Sequence, residues 1–108
     1  MDLPHEEFWI LLLNRANKII SRQQVSLGGT TGTVVDAKVV FKKAIEGQAV
    51  YLILAHNHPS GNVFPSPQDL DLTKKLVAAG NILTIKILDH LIIGDNRYYS
   101  FADEGKLN

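Results

Sequence analysis

Two histidines stand one residue apart at the end of an apolar segment, His56 and His58 in LAHNHPSGNVFPSPQDLDL (54–72). In extended backbone, residues i and i+2 project to the same side, so both imidazoles can reach one metal ion. Zinc in catalytic sites takes three protein ligands and leaves a fourth position for water. Asp69, in the segment SPQD, supplies a third ligand in the same stretch. This spacing indicates a zinc site.

Each of these features also has an ordinary structural interpretation. An isolated pair of this kind can consist of one packed and one exposed histidine. Ser66, Pro67 and Asp69 fit the N-cap, N1 and N3 positions of a helix, where an acidic side chain suits the helix dipole. The two interpretations are compatible, because a cap would hold Asp69 at the same end of the sheet as the histidines. Gly61 and two prolines let the intervening loop turn back and limit its freedom.

The apolar pattern predicts the elements that position these residues. We expect a single α/β domain over residues 1–108, with a mixed sheet flanked by helices. The segment AVYLILA has no alternation, which is typical of a strand covered on both faces. The predicted elements are strands in FWILLLN (8–14) and RANKIISRQQVSL (15–27), a loop at GGTTGT (28–33), a helix from the Asp36 cap to Gly47, a strand at 49–55, a helix from Pro67 to Gly80, a strand at ILTIKIL (82–88) and a hairpin in LIIGDNRYYSF (91–101).

Composition narrows the function classes. The 108 residues carry 11 basic and 11 acidic side chains, so the net charge is zero, unlike that of a stand-alone nucleic-acid binder. The chain has no cysteine, which excludes disulfides and thiolate metal sites and fits the cytoplasm best. No apolar run is long enough to span a membrane, and the acidic start MDLPHEE is unlike a signal peptide. We therefore expect a cytoplasmic protein without a membrane partner.

The stretch from His56 to Asp69, HNHPSGNVFPSPQD, resembles the JAMM/MPN metalloprotease signature: two histidines one residue apart, then Ser after seven residues and Asp after two more. The PSG after the histidines and the Pro before the Ser are similar to bacterial RadC-like proteins. SLGGT, DHLIIGD and RYYSF follow in RadC-like order, so the resemblance covers essentially the whole chain. It implies a JAB/MPN fold with cytidine-deaminase-like architecture.

The resemblance also implies an activity. Zinc would be held by His56, His58 and Asp69, and a zinc-activated water would attack an amide carbonyl of a protein or peptide substrate. Ser66 would donate a hydrogen bond to the developing oxyanion. The chain is thus expected to be a metallopeptidase or isopeptidase of the JAMM type.

The general base implied by the resemblance is a glutamate at the start of an early strand. Here Glu6 and Glu7 are both available, and alignment of E-x-F favours Glu6. Adjacent strand residues face opposite ways, so only one can serve. Asp89 and His90 leave two interpretations open: Asp89 orients a ligand histidine, or the two residues are a polar pair at a strand end.

The sequence differs from the RadC-like pattern in two respects, and three functions other than amide hydrolysis stay open. RadC-like proteins usually carry an N-terminal helix-hairpin-helix region that suggests DNA contact. These 108 residues contain no match to that region, so we expect them to be a C-terminal fragment of a longer chain. AKV (37–39) stands where many relatives have PRE. The chain is alternatively a DNA repair or recombination accessory module with a structural or vestigial metal site. A metal-dependent nuclease and a zinc-stabilised fold without catalysis are the others; the neutral charge argues against the nuclease.

Overall fold

The computed structural model describes residues 5–27 and 35–107. Five strands form one sheet in the order β2-β1-β3-β4-β5. β3 and β4 are parallel, and the other neighbouring strands are antiparallel. The elements are β1 (Glu7–Leu13), β2 (Ile19–Leu27), α1 (Ala37–Glu46), β3 (Tyr51–Asn57), α2 (Pro67–Leu83), β4 (Lys86–Gly94) and β5 (Arg97–Ser100). The predicted single α/β domain with a mixed sheet is confirmed; the predicted loop at 28–33 lies outside the described residues.

The core lies between one face of the sheet and the two helices. The connections β2–α1–β3 and β3–α2–β4 advance in the same direction across the sheet, so right-handed crossovers place both helices on one face. The buried residues of this core are Phe8, Ile10 and Leu12 of β1, Leu52 and Leu54 of β3, Val40, Phe41 and Ala44 of α1, Leu76 of α2, and Ile85 and Ile87. No helix in the described ranges is long and apolar enough to cross a membrane.

The prediction that both faces of the segment 49–55 are covered is wrong for the part of the chain that the structure describes. Along β3, Leu52 and Leu54 are buried, whereas Tyr51, Ile53 and Ala55 alternate with them and are only half-buried. A pocket of about 370 Å³ opens on their side of the sheet. The unbroken apolar run in the sequence predicted two covered faces because the residues on the outer face of β3 are also apolar. In the structure no helix among the described residues packs on that face.

The boundary between α2 and β4 also differs from the prediction. α2 continues past Gly80 to Leu83 and ends at Thr84, whose φ of 59° is left-handed. The predicted strand at 82–88 is therefore wrong at its start, and its remainder joins the first arm of the hairpin in the single strand β4. Gly80 does not end the helix; it permits a close approach, since a Cβ there would lie 2.4 Å from the Ile85 carbonyl oxygen.

This close approach predicts the effect of Gly80→Ala. In a helix interior the change ordinarily stabilises by about 1 kcal/mol. Here the new methyl meets backbone, so we expect a loss of about 1–3 kcal/mol in the free energy of unfolding, measured by urea denaturation. Asn81→Ala is the matched control, because Asn81 is exposed on the same helix. An unchanged or raised stability for Gly80→Ala would contradict the packing of α2 on the start of β4.

Candidate metal centre

The central strands place the two histidines at the carboxyl end of β3. His56 pairs with Phe8 of β1 and with Ile92 of β4, and its ring stacks on Phe8 with centroids 5.4 Å apart. The side chain is almost wholly buried. His58 lies just past β3, and its backbone N–H donates to the Ile93 carbonyl at 3.0 Å, which continues the pairing with β4. The backbone of both residues is thus hydrogen-bonded to the neighbouring strand β4.

The three ligands predicted from the sequence meet at one point. Nε2 of His56 and Nε2 of His58 lie 3.1 Å apart. One Asp69 carboxylate oxygen lies 3.2 Å from His56 Nε2 and the other 3.1 Å from His58 Nε2. A tetrahedral zinc site with bonds of about 2.0–2.1 Å separates its ligand atoms by about 3.3 Å. The spacing and the donor types therefore fit a small divalent cation such as zinc.

Hydrogen bonds to the far nitrogens orient both imidazoles. Nδ1 of His58 lies 2.7 Å from the Asn62 carbonyl oxygen, which can only accept, so Nδ1 carries a proton and Nε2 faces the cluster. Nδ1 of His56 lies 2.7 Å from Nε2 of His90. Burial, with a smaller contribution from the neighbouring His56, lowers the pKa of His90 to about 3, so His90 is neutral near pH 7.

The first turn of α2 aims the carboxylate. Ser66 is the N-cap: its Oγ accepts from the Asp69 backbone N–H at 3.1 Å, and its own N–H donates to the Asp69 carboxylate at 2.8 Å. Although burial raises the pKa of Asp69, the imidazoles of His56 and His58 beside the carboxylate and the Ser66 N–H that donates to it hold this pKa well below its usual value. The hydrogen bond with Asp69 in turn raises the pKa of His58, against the effect of burial. One carboxylate therefore serves the cap and faces both histidines.

The two candidate glutamates lie on opposite sides of the backbone. Glu6 Oε1 lies 3.8 Å from His58 Nε2, and ligand atoms of Glu6, His56 and His58 all lie within 4.8 Å of one another. Glu7 turns away, and its carboxylate accepts from the Trp9 indole N–H at 2.9 Å. Glu6 is thus a second carboxylate beside the histidines, and Glu7 is not.

Asn57 holds the segment that carries Glu6, a contact that sequence analysis missed. Its Oδ1 accepts from the Glu7 backbone N–H at 2.6 Å, and its Nδ2 donates to the His5 carbonyl at 3.0 Å. The amide thereby fixes the backbone on both sides of Glu6. Asn57 is almost fully buried at the end of β3. Its position between the two histidines in the sequence was the available signal.

Asp89 and His90 lie inside β4, so the expectation of a polar pair at a strand end is wrong. The Asp89 carboxylate accepts from the Ser100 hydroxyl at 2.6 Å and from the Ala102 N–H at 3.0 Å, and so holds the turn after β5. His90, fully buried, contacts His56. The residue beside the predicted ligand His56 is therefore His90 rather than Asp89. Thr73, which contacts His90, was not singled out from the sequence.

Comparison with known proteins identifies the family to which this sequence is similar. The model of the RadC-like JAB domain family matches residues 1–106. A UPF0758 protein of Flavobacterium johnsoniae is 59% identical over 104 residues, which are 96% of this chain and 45% of that protein. A UPF0758 protein of Porphyromonas gingivalis is 51% identical over 107 residues, 98% and 47% of the two chains.

The chain belongs to the RadC-like JAB domain family, as its sequence motifs predicted. It spans about half the length of the curated relatives it matches.

The geometry predicts which carboxylate binds the ion. We expect the domain to take up about one zinc per chain, measured by isothermal titration calorimetry and by elemental analysis after dialysis. Asp69→Asn should abolish uptake, because the Asp69 oxygens lie at ligand spacing from both histidines. Glu6→Gln is the matched control and should retain the metal. Loss of zinc in Glu6→Gln with retention in Asp69→Asn would reverse the assignment.

Proposed function

We propose that this domain is a zinc-dependent hydrolase of amide bonds, acting on a peptide or an isopeptide. The observation that carries the proposal is the convergence of His56, His58 and Asp69, with Glu6 standing just outside these three groups. Two imidazoles and one carboxylate form a donor set of catalytic zinc sites, which keep a position open for water. Bound there, zinc would lower the pKa of a water and polarise a carbonyl oxygen.

The distances assign different roles to the two carboxylates. Asp69 approaches both Nε2 atoms at 3.1–3.2 Å, so we assign it as the third ligand. The Glu6 carboxylate lies farther away, 3.8 Å from His58 Nε2 and within 4.8 Å of a ring nitrogen of His56, which leaves a position for a water beside it. We assign Glu6 as the general base that takes the water proton and passes it to the leaving amine. Asn57 supports this role by fixing the backbone around Glu6.

Ser66 is assigned the hydrogen bond to the oxyanion. Its oxygen accepts the Asp69 N–H as the helix cap, so its own hydroxyl proton is left to donate. A donor fixed before the reaction costs no reorganisation when negative charge develops on the substrate carbonyl. Ser66 therefore orients Asp69 as the helix cap and, in the proposed reaction, also donates a hydrogen bond to the oxyanion.

The proposal names a protein or peptide substrate in the cytoplasm. DNA association, as an accessory role in repair or recombination, is the competing function, and no contact among residues 5–27 and 35–107 favours it specifically. The formal net charge of zero gives this domain little general attraction for phosphates. Activities and partners of the full-length relatives belong to proteins about twice as long as this chain.

The test is hydrolysis by the zinc-loaded domain, assayed on panels of peptides, ubiquitin-like isopeptide conjugates and DNA. We expect amide cleavage that falls by about 10²–10⁴-fold in Glu6→Gln while the zinc content is unchanged, because the general base is lost and the ligands are not. Glu7→Gln is the matched control and should retain activity, since Glu7 faces Trp9.

Metal-dependent cleavage of DNA alone would overturn the proposal. Amide cleavage that survives Glu6→Gln and disappears in Glu7→Gln would contradict the assigned base and leave the reaction class intact.

A further inference from the structure

We propose that His90 and Thr73 are positioning residues for the metal site: a hydrogen-bonded chain through them fixes the proton of His56 on Nδ1 and presents Nε2 to the ion. The chain ends on the backbone of Asp69, so it joins two of the proposed ligands. The inference rests on the proposed zinc site and does not require that the domain hydrolyse amides.

Three short contacts make up the chain. His56 Nδ1 lies 2.7 Å from His90 Nε2. His90 Nδ1 lies 2.6 Å from the Thr73 hydroxyl oxygen. That hydroxyl lies 2.8 Å from the Asp69 carbonyl oxygen, one helical turn back in α2. The path thus crosses from β3 to β4 and then to α2, and it closes on the residue that faces His56 across the site.

The contact between the Thr73 hydroxyl and the Asp69 carbonyl oxygen determines which atom donates in each hydrogen bond of the chain. A carbonyl oxygen cannot donate, so the single hydroxyl proton of Thr73 points at Asp69. The Thr73 oxygen must then accept from His90 Nδ1–H, which leaves His90 Nε2 as an acceptor. His90 Nε2 in turn accepts from His56 Nδ1–H, and His56 Nε2 keeps its lone pair for the ion.

The opposite direction leaves a gap in the hydrogen bonding. If Thr73 donated to His90, its oxygen and the Asp69 carbonyl oxygen would lie 2.8 Å apart without a proton between them. His90 would then donate to His56 Nδ1, and the His56 proton would sit on Nε2, where the metal belongs. The observed geometry therefore favours the metal-competent tautomer of His56.

Packing prevents the chain from rearranging. His90 is fully buried and Thr73 nearly so. The His90 ring stacks on Phe101 with centroids 4.6 Å apart and planes within 10°, and the His56 ring stacks on Phe8. Rotation of either ring would break a stack as well as a hydrogen bond. Among the described residues, no buried side-chain nitrogen or oxygen lacks a hydrogen-bond partner.

The direct test is the tautomeric state of the histidines in the metal-free wild-type protein, read from long-range ¹H–¹⁵N NMR correlations of the imidazole rings at neutral pH. We expect His90 to carry its proton on Nδ1. A His90 proton found on Nε2 would overturn the proposal. This spectrum needs neither zinc nor a substrate, so it remains decisive if amide hydrolysis is never observed.

A pair of variants links the chain to metal binding. Thr73→Val keeps the shape and removes the hydroxyl, so we expect zinc affinity to fall by about 10–100-fold, the usual effect of losing a partner of a ligand histidine. Thr73→Ser restores the hydroxyl and should restore most of the affinity. In Thr73→Val, the NMR spectrum should show part of the His90 proton on Nε2, which a merely structural role would not produce. Wild-type zinc affinity in a folded Thr73→Val would contradict the proposal.

Discussion

The hydrogen bonding of one carboxylate, Asp69, connects the fold to the site. Its side chain accepts the N–H of Ser66 at the start of α2 and also faces both histidines. A half-buried anion ordinarily costs free energy unless it is paired and hydrogen-bonded. Here the helix N-terminus and two imidazoles supply those partners together, so neither the cap nor the cluster stands alone. An ion bound between the histidines would replace part of this pairing without disturbing the cap.

The order of the strands brings the remaining groups to the same place. β3 lies between β1 and β4, so the end of β3 is flanked by the segment that carries Glu6 and by the strand that carries His90. The Asn57 side chain is hydrogen-bonded to the segment that carries Glu6, and the imidazole of His56 contacts His90 in β4. Glu6, just before β1, and His90, within β4, thus flank the predicted ligands from the two sides of β3. A sheet edge would not provide neighbours on both sides.

Local patterns in the sequence predicted the parts of the site that depend on near neighbours. The histidine pair and the cap at Ser66 and Asp69 are set by spacings of two and three residues. The cap forms at the predicted residues, whereas β3 covers Tyr51–Asn57 instead of 49–55 and therefore contains His56. His90 contacts His56 across 34 residues, and no local pattern reports such a contact. Gly80 was interpreted as a helix end because glycine often follows one, whereas its actual role depends on the approach of Ile85. One face of β3 is likewise uncovered because the connections through α1 and α2 both cross the opposite face of the sheet, which no local pattern reports.

A crystal structure of the zinc-bound domain, with anomalous scattering measured at the zinc edge, tests the central claim most directly. We expect one peak bonded at about 2.0–2.2 Å to Nε2 of His56, Nε2 of His58 and the Asp69 carboxylate, with Glu6 beside the remaining position and not bonded to the ion. An ion held by Glu6 and the histidines, with Asp69 retained only in the helix cap, would contradict the roles assigned to the two carboxylates.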